Sequence, residues 1–255
     1  MADLWTREQE IIVFNLFCKI PFQHSSKNHP EVIKIAKLIG RTPSAVNLKI
    51  GNFGSFDASL KAKGITGLTH ASKLDKEIWD EFNGKWDELS YLSEKLIAEL
   101  QHSKLEIEDD CNFDIPRGEM KEVTVQQRVN QGFFRKAVLA SYRTACCITG
   151  LANTELLIAS HIKPWKDSDD SEKTNPTNGL CLNALHDKAF DRGFITVDTN
   201  YVIHISNEIK DCLDGRSLEM YFKRYDNTKI ILPDKFLPNK DFLRYHNDVI
   251  YESWK

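Results

Sequence analysis

Apolar positions recur at helical spacing through the first hundred residues and give way to shorter runs beyond residue 144. Thr6-Arg7-Glu8-Gln9 has the form of a capping box, and Ile11, Ile12, Leu16 and Phe17 follow as one helical face that Pro21 ends. His29-Pro30 opens a second helix, with Val32, Ile33, Ala36 and Ile39 as its apolar side and Gly40 as its stop. Thr42-Pro43 restarts a third, with Ala45, Val46 and Ile50 facing inward. Two helices joined by the turn Gly40-Arg41-Thr42 have the pattern of a helix-turn-helix. The residues from Gly51 to His70, with Lys61 and Lys63, suit a wing or loop.

Further along, Leu89, Leu92, Leu96, Ile97 and Leu100 predict a connecting helix over Trp86 to Gln101. Ser103 to Gly118 is acidic and reads as a linker. Val123 to Tyr142 predicts a long helix with a cationic side (Arg128, Arg135, Lys136). Thr144 to Gly150 and Leu156 to Ile162 are expected to pair as a hairpin around Leu151 to Glu155. Asn175-Pro176 has the form of a helix start, and Asn178, Leu182 and His186 then follow at successive fourth positions of that helix. Phe194 to Val197 and Tyr201 to Ile205 predict a second hairpin around Asp198-Thr199-Asn200. The tail ends on Phe242-Leu243-Arg244-Tyr245-His246, read as a packed helix. The expected class is α+β, with a helical helix-turn-helix or winged-helix-like domain at 1–85, a connecting helix and linker at 86–122, and a second domain at 123–255.

Composition narrows this picture modestly. The chain has 255 residues, 41% hydrophobic and 28% charged, values of a folded globular protein. No apolar run approaches the roughly 20 residues of a spanning helix, and the charged start is unlike a secretory signal, so no membrane role and a cytoplasmic location are expected. Six cysteines include no C-x-x-C pair, so buried thiols rather than a structural zinc are expected. The net charge of −3 does not by itself point to a polyanionic partner, although one basic face suffices for phosphate contact.

The chemistry lies between Leu156 and Gly193. His161 ends an apolar run, a polar loop follows, and Asn178 and His186 come next. The words ASHIKPW, NGLCL and HDKAFDRG resemble the HNH nucleases, in the variant found among bacterial restriction endonucleases, over about Val123 to Ile205. That resemblance implies a ββα-metal site and a divalent ion, expected to be Mg²⁺. By the same resemblance His161 is the general base, Asn178 holds the site or reaches the metal, His186 is a metal ligand, and Asp191 holds a further recurrent position. Many HNH enzymes carry a metal-binding Asp just before the first His; here Ser160 stands there, and Asp187 or Asp191 is the expected compensation. Taken singly, each of these residues is an ordinary surface or core side chain. Their order and flanking words carry the reading.

The implied substrate is double-stranded DNA, cut as a restriction endonuclease that is either sequence- or modification-dependent. A homodimer is expected, because one HNH site cuts one strand. Ser44 and Asn47 in the third helix are the candidates to reach base edges. Arg41, Lys49 and Lys37 are the candidates to meet phosphates, and Lys163 is a further candidate for DNA contact. Trp165 suits either packing or base stacking. Two rivals stand beside this reading: a DNA-binding regulator with a degenerate HNH fold, and a non-specific defence or toxin nuclease.

Overall fold

The computed structural model describes residues 4–65, 71–103, 122–212 and 214–251. The chain is α+β and divides into two compact units, Met1–Ser141 and Tyr142–Lys255. The linker expected around 103–118 and the end of the expected wing fall largely outside the described residues. Among them, no helix is long and apolar enough to cross a membrane.

The first unit is helical: α1 (Arg7–Lys19), α2 (Pro30–Leu38), α3 (Pro43–Gly54), α4 (Ala58–Ala62), α5 (Lys73–Phe82), α6 (Trp86–Gln101) and α7 (Glu122–Ser141). The Thr6–Gln9 capping box starts α1, as its sequence predicts. Every residue of α1 from Glu10 to Cys18 is buried, so this helix is the unit's axis. It packs against α2, α3, α5, α6 and α7. Phe14 stacks on Phe53 with ring centroids 4.7 Å apart, and Phe17, Trp79 and Trp86 complete an aromatic centre. Gly54 lies against the Phe22 ring, where a Cβ would come within 2.3 Å of a ring carbon. The compact units part at 141/142, so α7, expected with the 123–255 domain, packs on α1 and α6.

The α2–turn–α3 pair forms as read, with Thr42 capping α3 and Gly40 at φ +68° in the turn. One expectation is corrected here. Lys49, the one basic residue of α3, is buried, with Nζ 2.7 Å from Glu10 Oε1 and 2.6 Å from Asp75 Oδ1. It is therefore an internal counter-ion and not a phosphate contact. Two carboxylates share one ammonium, and Glu10 Oε2 is buried without a hydrogen-bond partner. Burial, reinforced by the Asp75 charge, pushes the Glu10 carboxyl up to about 7 against the pull of Lys49. Asp75 is burdened by burial too, but Lys49 and its bond from the Ser72 backbone hold it low.

The second unit contains β1 (Leu157–His161), α8 (Asp170–Thr174), β2 (Gly179–Asn183), α9 (Ala184–Asp191), β3 (Ile195–Val197), β4 (Ile203–Ile205), α10 (Asn207–Cys212), α11 (Gly215–Tyr221) and α12 (Lys240–Tyr245). A π-helical stretch, His246–Tyr251, follows α12. Strand β1 pairs antiparallel with β2, Leu157 opposite Asn183 and His161 opposite Gly179. Helix α9 packs on both strands and on β3. The β3–β4 hairpin forms as predicted, with Asp198 Oδ1 accepting from the Asn200 and Val202 amides.

Two expectations about this unit are corrected. Thr144–Gly150 is not a strand, since Arg143 and Thr144 take φ of +54° and +56°, outside the extended region. The segment turns instead and donates one bond to β2, from the Cys147 amide to the Cys181 carbonyl at 2.7 Å. Nor do Asn178 and Leu182 lie on a helix: Asn178 closes a 3-10 turn (Pro176–Asn178), Leu182 is in β2, and the helix begins after Asn183. Leu180, Cys181 and Leu182 are all fully buried, so both faces of this short strand are covered and no alternation marks it.

Candidate active site

His161 is the last residue of β1, where the chain leaves the sheet for the loop that carries α8. Its Nε2 lies 2.9 Å from the Lys173 carbonyl oxygen. A carbonyl can only accept, so Nε2 carries the proton and Nδ1 holds the basic lone pair. The ring meets Trp165 edge-on at 5.5 Å. Burial lowers the His161 pKa to about 4 against the opposing pull of the Lys173 carbonyl, so the imidazole is neutral at pH 7.

Asn178 is brought to the same loop, and its role there is a clamp. It is wholly buried, with Oδ1 accepting from the Lys163 amide at 2.8 Å. Its Nδ2 reaches the Lys163 carbonyl at 3.2 Å, the Glu172 carbonyl at 3.3 Å and Ser168 Oγ at 3.4 Å. The Asn178 carbonyl also accepts from the Ile162 amide at 2.9 Å. One side chain thus fixes both ends of the loop that positions His161. Within the loop an Asp169–Glu172 capping box starts α8, and Lys163 Nζ meets Glu172 Oε2 at 2.6 Å. Lys163 also lies 5.5 Å from the Tyr245 ring centroid, and Lys173 lies 5.4 Å from that of Trp165.

Helix α9 carries the other candidates. His186 is 3% exposed. Its Nε2 donates to the Tyr221 carbonyl at 2.8 Å, and its Nδ1 accepts from Asn183 Nδ2 at 2.9 Å. Both ring nitrogens are engaged by protein, and the Phe222 and Tyr225 rings stand edge-on to the imidazole. The expected metal ligand is in this arrangement a packed core histidine. Burial lowers its pKa, with the Tyr221 carbonyl opposing.

Asp187 and Asp191 sit one turn apart on α9. Burial raises the pKa of both, and the Asp187 charge helps push Asp191 to about 6. Ser160, 3% exposed, has its Oγ buried without a hydrogen-bond partner, although it lies near enough to favour the Asp187 carboxylate at longer range. Two carboxylates one turn apart, the charge of one disfavouring that of the other, with an orphaned hydroxyl near Asp187, suit a hard cation that takes most of its remaining ligands from water. Among the described residues, no three of His, Cys, Asp and Glu converge as a ready-made metal set.

In the first unit, Ser44 is exposed on α3, whereas Asn47 is half-buried with its Oδ1 orphaned. Arg41 is tied to Gln9 Oε1 and to the Leu4 carbonyl, with its guanidinium 4.9 Å from the Trp5 ring centroid. The residues that the sequence did not single out are Lys173, Asn183 and Tyr221. Asn183 carried a readable signal, an N-cap three residues before His186; the two carbonyl contacts had none.

No curated protein matches the chain. Residues 146–198, the segment that holds β1, the clamped loop, β2, α9 and β3, match the HNH endonuclease family, and the match points to nuclease activity in this part of the chain.

Proposed function

We propose that the protein is a metal-dependent endonuclease that hydrolyses phosphodiester bonds of double-stranded DNA, acting as a restriction enzyme. The observation that carries this reading is the state of His161: neutral, its proton fixed on Nε2 by the Lys173 carbonyl, at the end of β1 within the family-matched segment. Nδ1 is the group to take a proton from the attacking water, whose oxygen then bonds to phosphorus as the bond to the 3′ oxygen breaks. The leaving 3′ oxygen takes its proton from solvent. A bound divalent ion, Mg²⁺ in this reading, supplies charge neutralisation at phosphorus and at the leaving oxygen.

Asp187 and Asp191, with Ser160 beside them, are the residues to hold that ion. Asn178 is a positioning residue that holds the His161 loop, and His186 anchors α9 to Tyr221. Lys163 and Lys173, next to Tyr245 and Trp165, are the loop's candidates for the DNA backbone, each exchanging a carboxylate partner (Glu172 and Asp170) for phosphate.

The α2–α3 pair supports a DNA-reading role for the first unit, with Ser44 as its outward polar residue. Cutting both strands calls for two copies of the site, hence a homodimer. One observation favours the rival reading, a DNA-binding regulator with a degenerate site: both nitrogens of His186 are already engaged. Incubation with plasmid DNA, unmethylated and methylated, separates the two. Discrete fragments that require Mg²⁺ support the endonuclease, and intact plasmid with retained binding supports the regulator.

A further inference from the structure

Helix α3 turns two residues outward. Ser44 and Leu48, one turn apart, are its exposed positions, and Leu48 is 55% exposed. The two asparagines of the helix are directed inward: Asn52 Nδ2 donates to Asp75 Oδ2 at 2.8 Å, and Asn47 Oδ1 is buried. Beyond its own surface, α3 therefore offers one hydroxyl and one isobutyl group.

A lone exposed leucine is ordinary on a protein surface, and its setting distinguishes this one. From Val32 to Ser72 the sequence has a single carboxylate, Asp57, and Asp57 is buried as the N-cap of α4. Lys37 on α2 and Lys61 on α4 are exposed. This stretch of a chain with net charge −3 thus exposes no carboxylate beside Leu48. An apolar protein partner asks nothing of the surrounding charge, whereas the phosphates on either side of a DNA groove do.

The chemistry of a leucine then narrows what it can read. It neither donates nor accepts a hydrogen bond, so it gains nothing from most base edges. In the major groove, thymine alone among the four ordinary bases presents an apolar group, its C5-methyl, and the minor groove presents none. We propose that Leu48 is a specificity-determining residue that packs against the C5-methyl of a thymine in the recognition site, with Ser44 one turn earlier against a neighbouring base edge. The inference rests on the DNA-reading role proposed for the first unit and names what that unit reads.

The test begins with the full chain, in chelator so that cleavage is idle, enriching duplexes from a pool with a randomised centre. The enriched duplex is then remade with uracil for thymine, one position at a time, and with 5-methylcytosine for cytosine. Uracil pairs as thymine does and lacks only the methyl. Fluorescence anisotropy reads the affinity of the parent and of Leu48→Ala for each duplex. At one or more thymines, uracil is expected to weaken binding by the parent about three- to fivefold, the worth of roughly one buried methyl. Leu48→Ala is expected to bind the thymine duplex more weakly than the parent does by about the same factor, and to bind the thymine and uracil forms alike. Its thermal midpoint should match the parent's, because the side chain is exposed.

Uracil tolerated at every thymine of an enriched duplex overturns the inference and leaves the DNA-reading role standing. An undiminished uracil penalty in Leu48→Ala does the same, since the methyl is then read by another residue. A response to 5-methylcytosine alone also overturns it, because the contact then belongs to a modified base. If the parent enriches no duplex, the DNA-reading role itself is lost and the inference falls with it.

Discussion

Asn178 and Lys163, fifteen residues apart, are joined by a reciprocal pair of hydrogen bonds: the Lys163 amide donates to Asn178 Oδ1 at 2.8 Å, and Asn178 Nδ2 donates to the Lys163 carbonyl at 3.2 Å. The carboxamide thereby satisfies a loop peptide as a neighbouring strand would. Asn178→Ala leaves those groups buried and unmet, at a cost of about 2–4 kcal/mol in the second unit. Cleavage is expected to fall more than about tenfold through loss of loop geometry. Metal affinity of the folded fraction stays unchanged, which calorimetry with Mn²⁺ against thermal denaturation checks.

Asp191 and His186 should respond in opposite ways. Asp191→Asn removes a charge that Asp187, one turn away, disfavours; Asp191 is exposed, so the metal-free protein is expected to melt only slightly higher at pH 8. The divalent ion needed for half-maximal cleavage should rise about tenfold or more. His186→Ala breaks the tie to Tyr221 and opens a gap beside Phe222, so it is expected to lower the midpoint while leaving the ion requirement of the folded fraction near normal. Melting curves with and without ion distinguish the two.

The Glu10–Lys49–Asp75 cluster gives the first unit a pH signature. Glu10 has a folded pKa near 7, raised above its ordinary value near 4.5. Its contribution to stability is therefore fully present below about pH 4.5 and is lost as pH rises through 7. Glu10→Gln keeps an acceptor for Lys49 and supplies a donor toward Asp75 at every pH. Relative to the parent, this variant is expected to gain stability between pH 5 and pH 8, on the order of 1–3 kcal/mol, read by denaturant titration at both pH values.

The same cluster separates core from interface on α3. Lys49→Met leaves two buried carboxylates facing each other and is expected to cost about 3–5 kcal/mol, with DNA affinity of the folded protein unchanged. Ser44→Glu, on the exposed side, is expected to leave the midpoint within about 0.5 kcal/mol. It should weaken DNA binding if α3 faces the duplex. Chemical denaturation and fluorescence anisotropy on a labelled duplex read the two effects.

What the sequence disclosed was chiefly local. Thr6, Thr42 and the prolines at 30 and 43 announced α1, α2 and α3, because caps and first-turn prolines act within one helical turn. The β3–β4 turn was legible from Asp198 for the same reason. The stretch 175–186 misled because a short apolar run has no period of its own, and Asn178, Leu182 and His186 happen to stand four apart. Lys49 misled because its partners lie 39 and 26 residues away. The engagement of His186 by a carbonyl 35 residues downstream is likewise tertiary and leaves no local trace.

The central claim is that His161, kept neutral by burial and with its proton fixed on Nε2 by the Lys173 carbonyl, activates the water that cuts DNA. Its most direct test is the rate of plasmid cleavage by His161→Ala beside the parent, at saturating Mg²⁺ and with folding verified by melting. A loss of about 10²-fold or more, with DNA binding retained and with the parent silenced by chelator, is the predicted result. Cleavage by His161→Ala at the parent's rate would contradict it.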